Sequence, residues 1–247
     1  MKKTIIIIFY LISAIFLFSI EHLDLNFFIE PRFDENNIDK EKFVLENTVN
    51  DSIIQVNIFG GTILKEANSD SSIIAFLDSV NCQYACPIDF LFYEGSDTLN
   101  FQFIASNIKH EEIPLIENII LQTDSISVGI FSIYTPDFTV KNEINPDAEF
   151  DFDVFEDAAE QAKFLKKKSD FIIMLSNMTK YIDEDIVEDL PVDVVVSFDY
   201  QKKKNELFSN NRTNYYSILC HRGFFGKLRL IFENGKITRE WIEEKIE

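Results

Sequence analysis

Apolar residues along the chain gather in short continuous runs that are separated by amphipathic stretches. Runs such as SDFIIMLSN (169–177) and PVDVVVSF (191–198) have the length and apolar content of strands that are buried on both faces. Immediately before the first run, DVFEDAAEQAKFLKKK (153–168) has acidic residues in its first turn and lysines in its last. This charge order favours a helix because it complements the helix macrodipole. Buried strands that alternate with helices predict an α/β fold with a parallel centre.

The same patterns predict the other elements of the chain. Four further strands and two further helices are expected, followed by two segments that alternate as antiparallel strands with one exposed face do. The strands are SIIQVNIFGG (52–61), IDFLFYEGSD (88–97), PLIENIIL (114–121) and SISVGIFSIY (125–134), the helices are SDSSIIAFLDSV (69–80) and IDEDIVEDL (182–190), and the antiparallel segments are NYYSILCH (214–221) and GKLRLIFENGKI (226–237). Polar or glycine-bearing segments follow four of the buried strands, at the edge where α/β folds place their sites.

The amino terminus has the pattern of an export signal. Lys2 and Lys3 precede an apolar stretch from Ile5 to Ile20, which is the layout of a secretory signal peptide. Residues 1–20 are therefore expected either to be removed by signal peptidase or to remain as a membrane anchor through residues 4–20. Either outcome places the protein in the periplasm or outside the cell.

One large domain is expected after this segment. Residues 21–49 are polar and poorly patterned, residues 50–236 hold the predicted domain, and residues 237–247 are predicted to form a helical tail. With 46% apolar residues and 25 phenylalanines, the chain has ample material for a core. The net charge of −19 excludes nucleic acid as the partner, since binding its phosphates requires clustered basic residues.

The spacing of the cysteines allows a local cross-link. Cys82 and Cys86 lie four positions apart, so we predict either a local disulfide or an inert pair, which leaves Cys220 without a partner. A redox accessory that uses this pair is a weaker alternative, because redox-active pairs usually have a C-x-x-C spacing.

The acidic stretch NPDAEFDFDVFED (145–157) invites comparison with a calcium-binding EF-hand loop. Asp147, Glu149 and Asp151 fit the first, third and fifth positions of such a loop. Phe152 and Ala158, however, stand where the loop requires glycine and glutamate. The stretch is instead expected to connect a strand to a helix and to cap that helix.

The segments that follow the predicted strands resemble, in order, those of the calcineurin-like metallophosphoesterase domain of secreted 5'-nucleotidases. That family has strands followed by D-x-H-G, D-A-G-D-T-L, G-N-H-E, L-S-H and G-G-H-S-H or G-G-H-S-Q. Here QVNIFGGTIL resembles the first segment and FYEGSDTL the second, while SDFIIMLSN and VDVVVSFDYQ resemble the last two. The resemblance implies a metallophosphoesterase-like α/β/β/α sandwich of two mixed sheets flanked by helices.

The resemblance also implies where metal ligands would lie. In the family, the motif residues hold two divalent metals that activate a water and clamp the phosphate. Asp97 matches the metal-bridging aspartate, and Gln201 matches the family variant that ends in glutamine. The interval that should contain G-N-H-E has no counterpart of that motif, so its asparagine and histidine are absent.

The other family ligands are replaced in this chain. Asn57 stands where the first aspartate belongs, Phe59 replaces the first histidine, Asn177 replaces the histidine of L-S-H, and Asp199 replaces the first histidine of the last motif. Neutral amides are weak ligands for zinc or iron, and phenylalanine is none at all. A tight dinuclear site is therefore not expected.

These replacements lead to two functional hypotheses. The first is a degenerate, catalytically inactive domain, a pseudoenzyme of the family, that is exported and binds an unknown protein or small ligand without a cofactor. Ser197 and Phe198 replace the glycines of the last motif, and Phe198 is expected to fill part of the cleft. The alternative is a phosphoester or nucleotide hydrolase with a rebuilt site for a single Mg, Ca or Mn ion, held by Asp97, Asp199 and amide oxygens.

Overall fold

The computed structural model describes residues 21–28, 54–60, 77–86, 99–111, 113–135, 148–198, 207–209, 213–217 and 224–245. The strands within these ranges are β1 (Glu21–Phe28), β2 (Ile54–Phe59), β3 (Tyr84–Ala85), β4 (Gln102–Ile104), β5 (Ile108–His110), β6 (Leu115–Ile116), β7 (Asn118–Gln122), β8 (Ser127–Ile133), β9 (Ala148–Phe150), β10 (Phe171–Ser176), β11 (Val194–Ser197), β12 (Leu207–Ser209), β13 (Asn214–Ser217), β14 (Phe224–Glu233) and β15 (Lys236–Lys245). The helices are α1 (Val154–Lys166) and α2 (Lys180–Val187), and residues 77–79 form a further helical turn.

The first sheet is built around strand β1. Its seven strands lie in the order β15-β14-β1-β2-β3-β4-β6. From β1 to β6 neighbouring strands are parallel, whereas β14 pairs with β1 and β15 with β14 in antiparallel fashion. Leu23, Leu25 and Phe27 of β1 lie in the core, while the alternate residues Asp24 and Asn26 are buried on the opposite face.

A buried ion pair ties β1 to β14. The guanidinium of Arg229 donates from Nε and Nη2 to the two carboxylate oxygens of Asp24, each at 2.8 Å. The side chain of Asp24 is 1% exposed and that of Arg229 is 27% exposed. Because both carboxylate oxygens receive a hydrogen bond, Asp24 can stay charged inside the protein.

The second sheet has six strands in the order β12-β13-β11-β10-β8-β7. The four central strands are parallel, and β7 and β12 are antiparallel strands at the two edges. A separate antiparallel ribbon is formed by β5 and β9. Both large sheets are therefore mixed, as predicted.

One hydrophobic core joins the two sheets. It contains apolar residues of β1, β2 and β14 from the first sheet and of β8, β10 and β11 from the second. On the outer face of the second sheet, α1 packs through Ala158, Ala162 and Leu165, and α2 packs through Ile186 and Val187. The structure thus confirms the layered sandwich of two mixed sheets with flanking helices.

Several predicted elements are confirmed where the structure describes them. The run SDFIIMLSN forms β10, PVDVVVSF forms β11, and SISVGIFSIY forms β8. The most strongly patterned helix is α1, and its cap is Asp153, whose side chain accepts a hydrogen bond from the amide of Glu156. The predicted strand 88–97 lies outside the described residues, as do residues 1–20.

Two predictions about the chain ends are wrong. The sequence pattern predicts no element in segment 21–49, yet Glu21–Phe28 forms β1, an interior strand of the first sheet. The expected helical tail after residue 236 is strand β15, which pairs with β14 along its whole length. The cause is the hairpin turn at Asn234 and Gly235, whose φ angles of 52° and 74° suit an Asn-Gly turn and return the chain along β14.

Across the described residues, no helix is both long enough and apolar enough to cross a membrane.

Candidate functional site

The candidate site lies where strand ends of the two sheets meet. Gly60 directly follows β2 in the first sheet, and Phe198 directly follows β11 in the second. A methyl group added to Gly60 would lie 2.5 Å from both Cδ atoms of the Phe198 ring. The ring also approaches Phe27 of β1, with 6.4 Å between ring centroids. The two sheets are therefore in direct contact at the carboxyl ends of β2 and β11.

Phe198 occupies the centre of this junction. Its side chain is 1% exposed, and its amide donates to the carbonyl of Ser176 at 2.6 Å. Gly60 is held on the other side by an amide hydrogen bond to the carbonyl of Phe28. The expectation that Phe198 fills part of the cleft agrees with this packing. An aromatic ring supplies no oxygen or nitrogen atom to a cation at this position.

Asn57 is used to organise the first sheet. Its Oδ1 accepts from Asn26 Nδ2 at 2.8 Å, and its own Nδ2 donates to the carbonyl of Val80 at 2.8 Å. Its backbone amide donates to Gln83 Oε1 at 2.6 Å. Asn57 thus joins β1, β2 and the loop before β3, so its side chain has a structural role.

Asn177, the second amide in the predicted ligand set, is likewise engaged with backbone. Its Oδ1 accepts from the amide of Thr135, and its Nδ2 donates to the carbonyl of Thr135, both at 2.9 Å. These two bonds connect the residues that follow β8 and β10. The oxygen that would bind a metal therefore already accepts a backbone hydrogen bond.

Counting the strands from β1 changes the position of Asn57 relative to the family pattern. The resemblance matches Asn57 to the first motif, but Asn57 lies on β2, the second strand among the described residues. Asn26 is the residue beside it on β1, and the sequence analysis overlooked Asn26. The available signal was the alternation of Leu23, Leu25 and Phe27 with polar residues, which is typical of a strand.

The three remaining predicted ligands, Asp97, Asp199 and Gln201, lie outside the described residues. Within the described part of the chain, no group of three or more His, Cys, Asp or Glu residues is arranged to hold a metal ion. Elemental analysis of the purified protein is therefore the direct test for a metal at this junction.

The two described cysteines are free and buried, which contradicts the disulfide alternative and agrees with the inert pair. They flank β3, where an extended chain separates residues four apart by about 13 Å, too far for a disulfide. The thiol of Cys82 donates to the carbonyl of Tyr84, and that of Cys86 contacts Ser132 Oγ at 3.5 Å. Burial raises the pKa of each thiol to about 12, so neither is activated for redox chemistry.

Buried thiols should resist modification until the protein unfolds. We expect Cys82 and Cys86 to remain unlabelled when the native protein is treated with iodoacetamide at pH 8, and to be labelled fully in guanidinium chloride. Peptide mass spectrometry would assign the label to each residue. Rapid labelling of either thiol in the native protein would contradict their burial. A peptide that contains both cysteines and is lighter by two hydrogens would show that they form a disulfide after all.

An acidic cleft lies between the β5–β9 ribbon and the start of α1. Its volume is about 600 Å³. Six of the residues that line it are carboxylates: Glu117, Glu149, Asp151, Asp153, Asp157 and Glu160. Lys109 is the cation among the lining residues that the structure describes. The cleft therefore has a strongly negative lining.

Comparison with known proteins identifies the fold. No protein-family profile matches the sequence, and no curated protein matches it. Among solved structures, a putative 5'-nucleotidase from Staphylococcus aureus is 12% identical with a TM-score of 0.70, over 92% of this chain and 54% of that chain. The NAD nucleotidase of Haemophilus influenzae is 16% identical with a TM-score of 0.66, over 92% of this chain and 57% of that one.

A third structure is similar in length to this chain. It is GAP50 of Plasmodium, which is 12% identical with a TM-score of 0.52, over 92% of this chain and 89% of that chain. The present chain, by contrast, spans little more than half of the two nucleotidases. These similarities show that the chain has the calcineurin-like metallophosphoesterase fold, as the sequence resemblance implied.

Proposed function

We propose that this chain uses the metallophosphoesterase fold as a non-catalytic scaffold that is exported and binds a protein or small ligand. The observation that carries the proposal is the contact between Phe198 and Gly60. It places a buried aromatic ring at the carboxyl ends of β2 and β11, where an α/β protein of this type would have its site.

The chemistry of the fold's enzymes explains why this contact matters. Hydrolysis with two metals requires the ions about 4 Å apart, with room for a water and the phosphate between them. Such a centre also needs anionic and imidazole ligands close together. Here the ring takes space at the junction, and the amides of Asn57 and Asn177 are bonded to other protein groups. Both features favour a structural role over a catalytic one for the residues at these strand ends.

Two further observations support a scaffold. The Plasmodium protein with this fold is described as the anchor in the inner membrane complex, so the fold also occurs in a protein with an anchoring role. Export is supported by Lys2, Lys3 and the apolar stretch that follows them. The binding partner is proposed only as a class, either a protein or a small ligand.

The proposal is tested by measuring hydrolysis and metal content together. The purified chain should not hydrolyse p-nitrophenyl phosphate or AMP with Mg, Ca or Mn at a rate above that of its Asp97→Ala variant. Elemental analysis should find less than stoichiometric metal after dialysis against each ion. The matched control is Asp124→Ala, which removes a carboxylate from the exposed turn between β7 and β8.

The rebuilt one-metal hydrolase makes the opposite prediction. It requires stoichiometric metal and an activity that both Asp97→Ala and Asp199→Ala abolish while Asp124→Ala leaves it unchanged. This pattern of results would overturn the proposed scaffold function.

A further inference from the structure

Carboxylates crowd together at the junction between β9 and α1. Asp151 and Asp153 lie in the short connection between the two elements, and Asp157 and Glu160 lie on the first turns of α1. Glu149 on β9 and Glu117, at the bend between β6 and β7, face the same acidic cleft, as does Lys109 on β5. The sequence analysis assigned this stretch to helix capping, and Asp153 does cap α1.

Three of these six carboxylates accept a hydrogen bond from a named donor. Asp151 Oδ1 accepts from the amide of Asp153, and Asp153 Oδ1 accepts from the amide of Glu156. Glu117 Oε2 accepts from Gln161 Nε2 at 3.2 Å. Asp157 differs, because its Oδ2 is buried and has no hydrogen-bond partner within the described part of the chain. An ionised carboxylate with a buried and unpaired oxygen is unfavourable.

Protonation of Asp157 would remove the unfavourable burial of its unpaired oxygen in two ways. It removes one negative charge from a crowded cluster, and it converts a carboxylate oxygen without a donor into a hydroxyl that can itself donate. Burial, followed by repulsion from Asp151, Glu160, Asp153 and Glu156, raises the pKa of Asp157 to about 6. Asp157 as a whole is only partly buried, so solvent screens part of the repulsion, and the unpaired buried oxygen is the stronger reason for protonation.

We propose that Asp157 and the carboxylates around it form a proton-sensitive lock that holds the β9–α1 junction more tightly when Asp157 is protonated. The lock would act at the wall of the acidic cleft, and it is independent of whether the chain is catalytic. Lowering the pH would stabilise the first turn of α1 and make the cleft less negative.

The sign of the pH dependence follows from linkage. The pKa of Asp157 is higher in the folded protein than the ordinary value of about 4 that an unfolded chain has. Between these two values the folded state binds the proton and the unfolded state does not, so the contribution of Asp157 to stability grows as the pH falls through about 6. Most aspartates that are paired in a folded protein behave in the opposite way.

Hydrogen exchange measured on the full chain tests the lock. After correction for intrinsic exchange rates, the amides of residues 154–160 should be protected at least about threefold more at pH 5.0 than at pH 7.5. Asp157→Asn should show the same high protection at both pH values. The control Asp185→Asn, which changes an exposed carboxylate on α2, should keep the pH dependence of the wild type.

A second measurement needs no variant. Carbon-13 NMR of the side-chain carboxyl groups should show Asp157 titrating near pH 6 in the folded wild-type protein. Titration of Asp157 below about pH 4.5 would overturn the proposal. So would equal protection of residues 154–160 at both pH values, or a pH dependence that persists in Asp157→Asn.

Discussion

Replacing Gly60 with alanine is expected to lower the free energy of unfolding by about 3 kcal/mol, although the change adds a single methyl group. The new methyl would lie 2.5 Å from both Cδ atoms of the Phe198 ring, well inside van der Waals contact. The ring is buried against Phe27 and cannot turn away into solvent. The measurement is equilibrium unfolding in urea, followed by circular dichroism.

A double-mutant cycle tests the cause of this effect. Phe198→Ala alone should cost about 3–5 kcal/mol through the cavity it leaves. Gly60→Ala should cost at least about 1 kcal/mol less in the Phe198→Ala background, because the added methyl no longer meets the ring. The control is Gly235→Ala, where no atom lies within 4 Å and only the positive φ of 74° opposes the change. If the losses of unfolding free energy for Gly60→Ala and Phe198→Ala simply add in the double variant, the contact between the two residues is contradicted.

Replacing Arg229 with methionine should lower the free energy of unfolding by about 3–5 kcal/mol. The change leaves the carboxylate of Asp24 buried without its two charge-assisted hydrogen bonds. Methionine keeps much of the side-chain volume, so the loss reports mainly on the unpaired charge. Urea unfolding at pH 7 gives the value.

The charge explanation has its own controls. Adding Asp24→Asn to Arg229→Met should restore part of the lost stability, since the buried charge is then removed. Lys236→Met, which changes an exposed cation on β15, should alter stability by less than about 0.5 kcal/mol. A cost below about 1 kcal/mol for Arg229→Met would mean that water solvates Asp24 well.

The sequence predicted the second sheet better than the first, for a physical reason. Strands β8, β10 and β11 are buried on both faces, so their apolar residues form continuous runs that stand out from the surrounding residues. Helix α1 was equally predictable from the sequence, because its charges complement the macrodipole and its apolar residues repeat with the helical period.

Strand β1 was missed because its buried residues are not all apolar. Asp24 and Asn26 are fully buried, but their partners Arg229 and Asn57 lie far away in the sequence. A local pattern cannot show that a distant residue will pair with a buried charge or amide. Missing β1 also shifted the position that the family resemblance assigned to Asn57.

Phe198 was the part of the candidate site that sequence reasoning placed best. The family resemblance placed it where a motif glycine would stand, at the carboxyl end of a predicted buried strand, and implied that it would fill part of the cleft. The partner on the other side, Gly60, could not be identified from sequence, because contact between the two depends on how one sheet packs on the other. Asn177 was placed at the correct strand end, but its bonds to Thr135 were beyond local prediction.

The pairing of β1 with β14 has a consequence for the order of folding. β1 ends at Phe28 and β14 begins at Phe224, so the middle of the first sheet joins segments that are almost two hundred residues apart in synthesis. Contacts of such long sequence separation form late, because the intervening chain must first be brought together. Until β14 leaves the ribosome, β1 has one open edge, and this edge is where an incomplete chain would be most exposed to aggregation or to a chaperone.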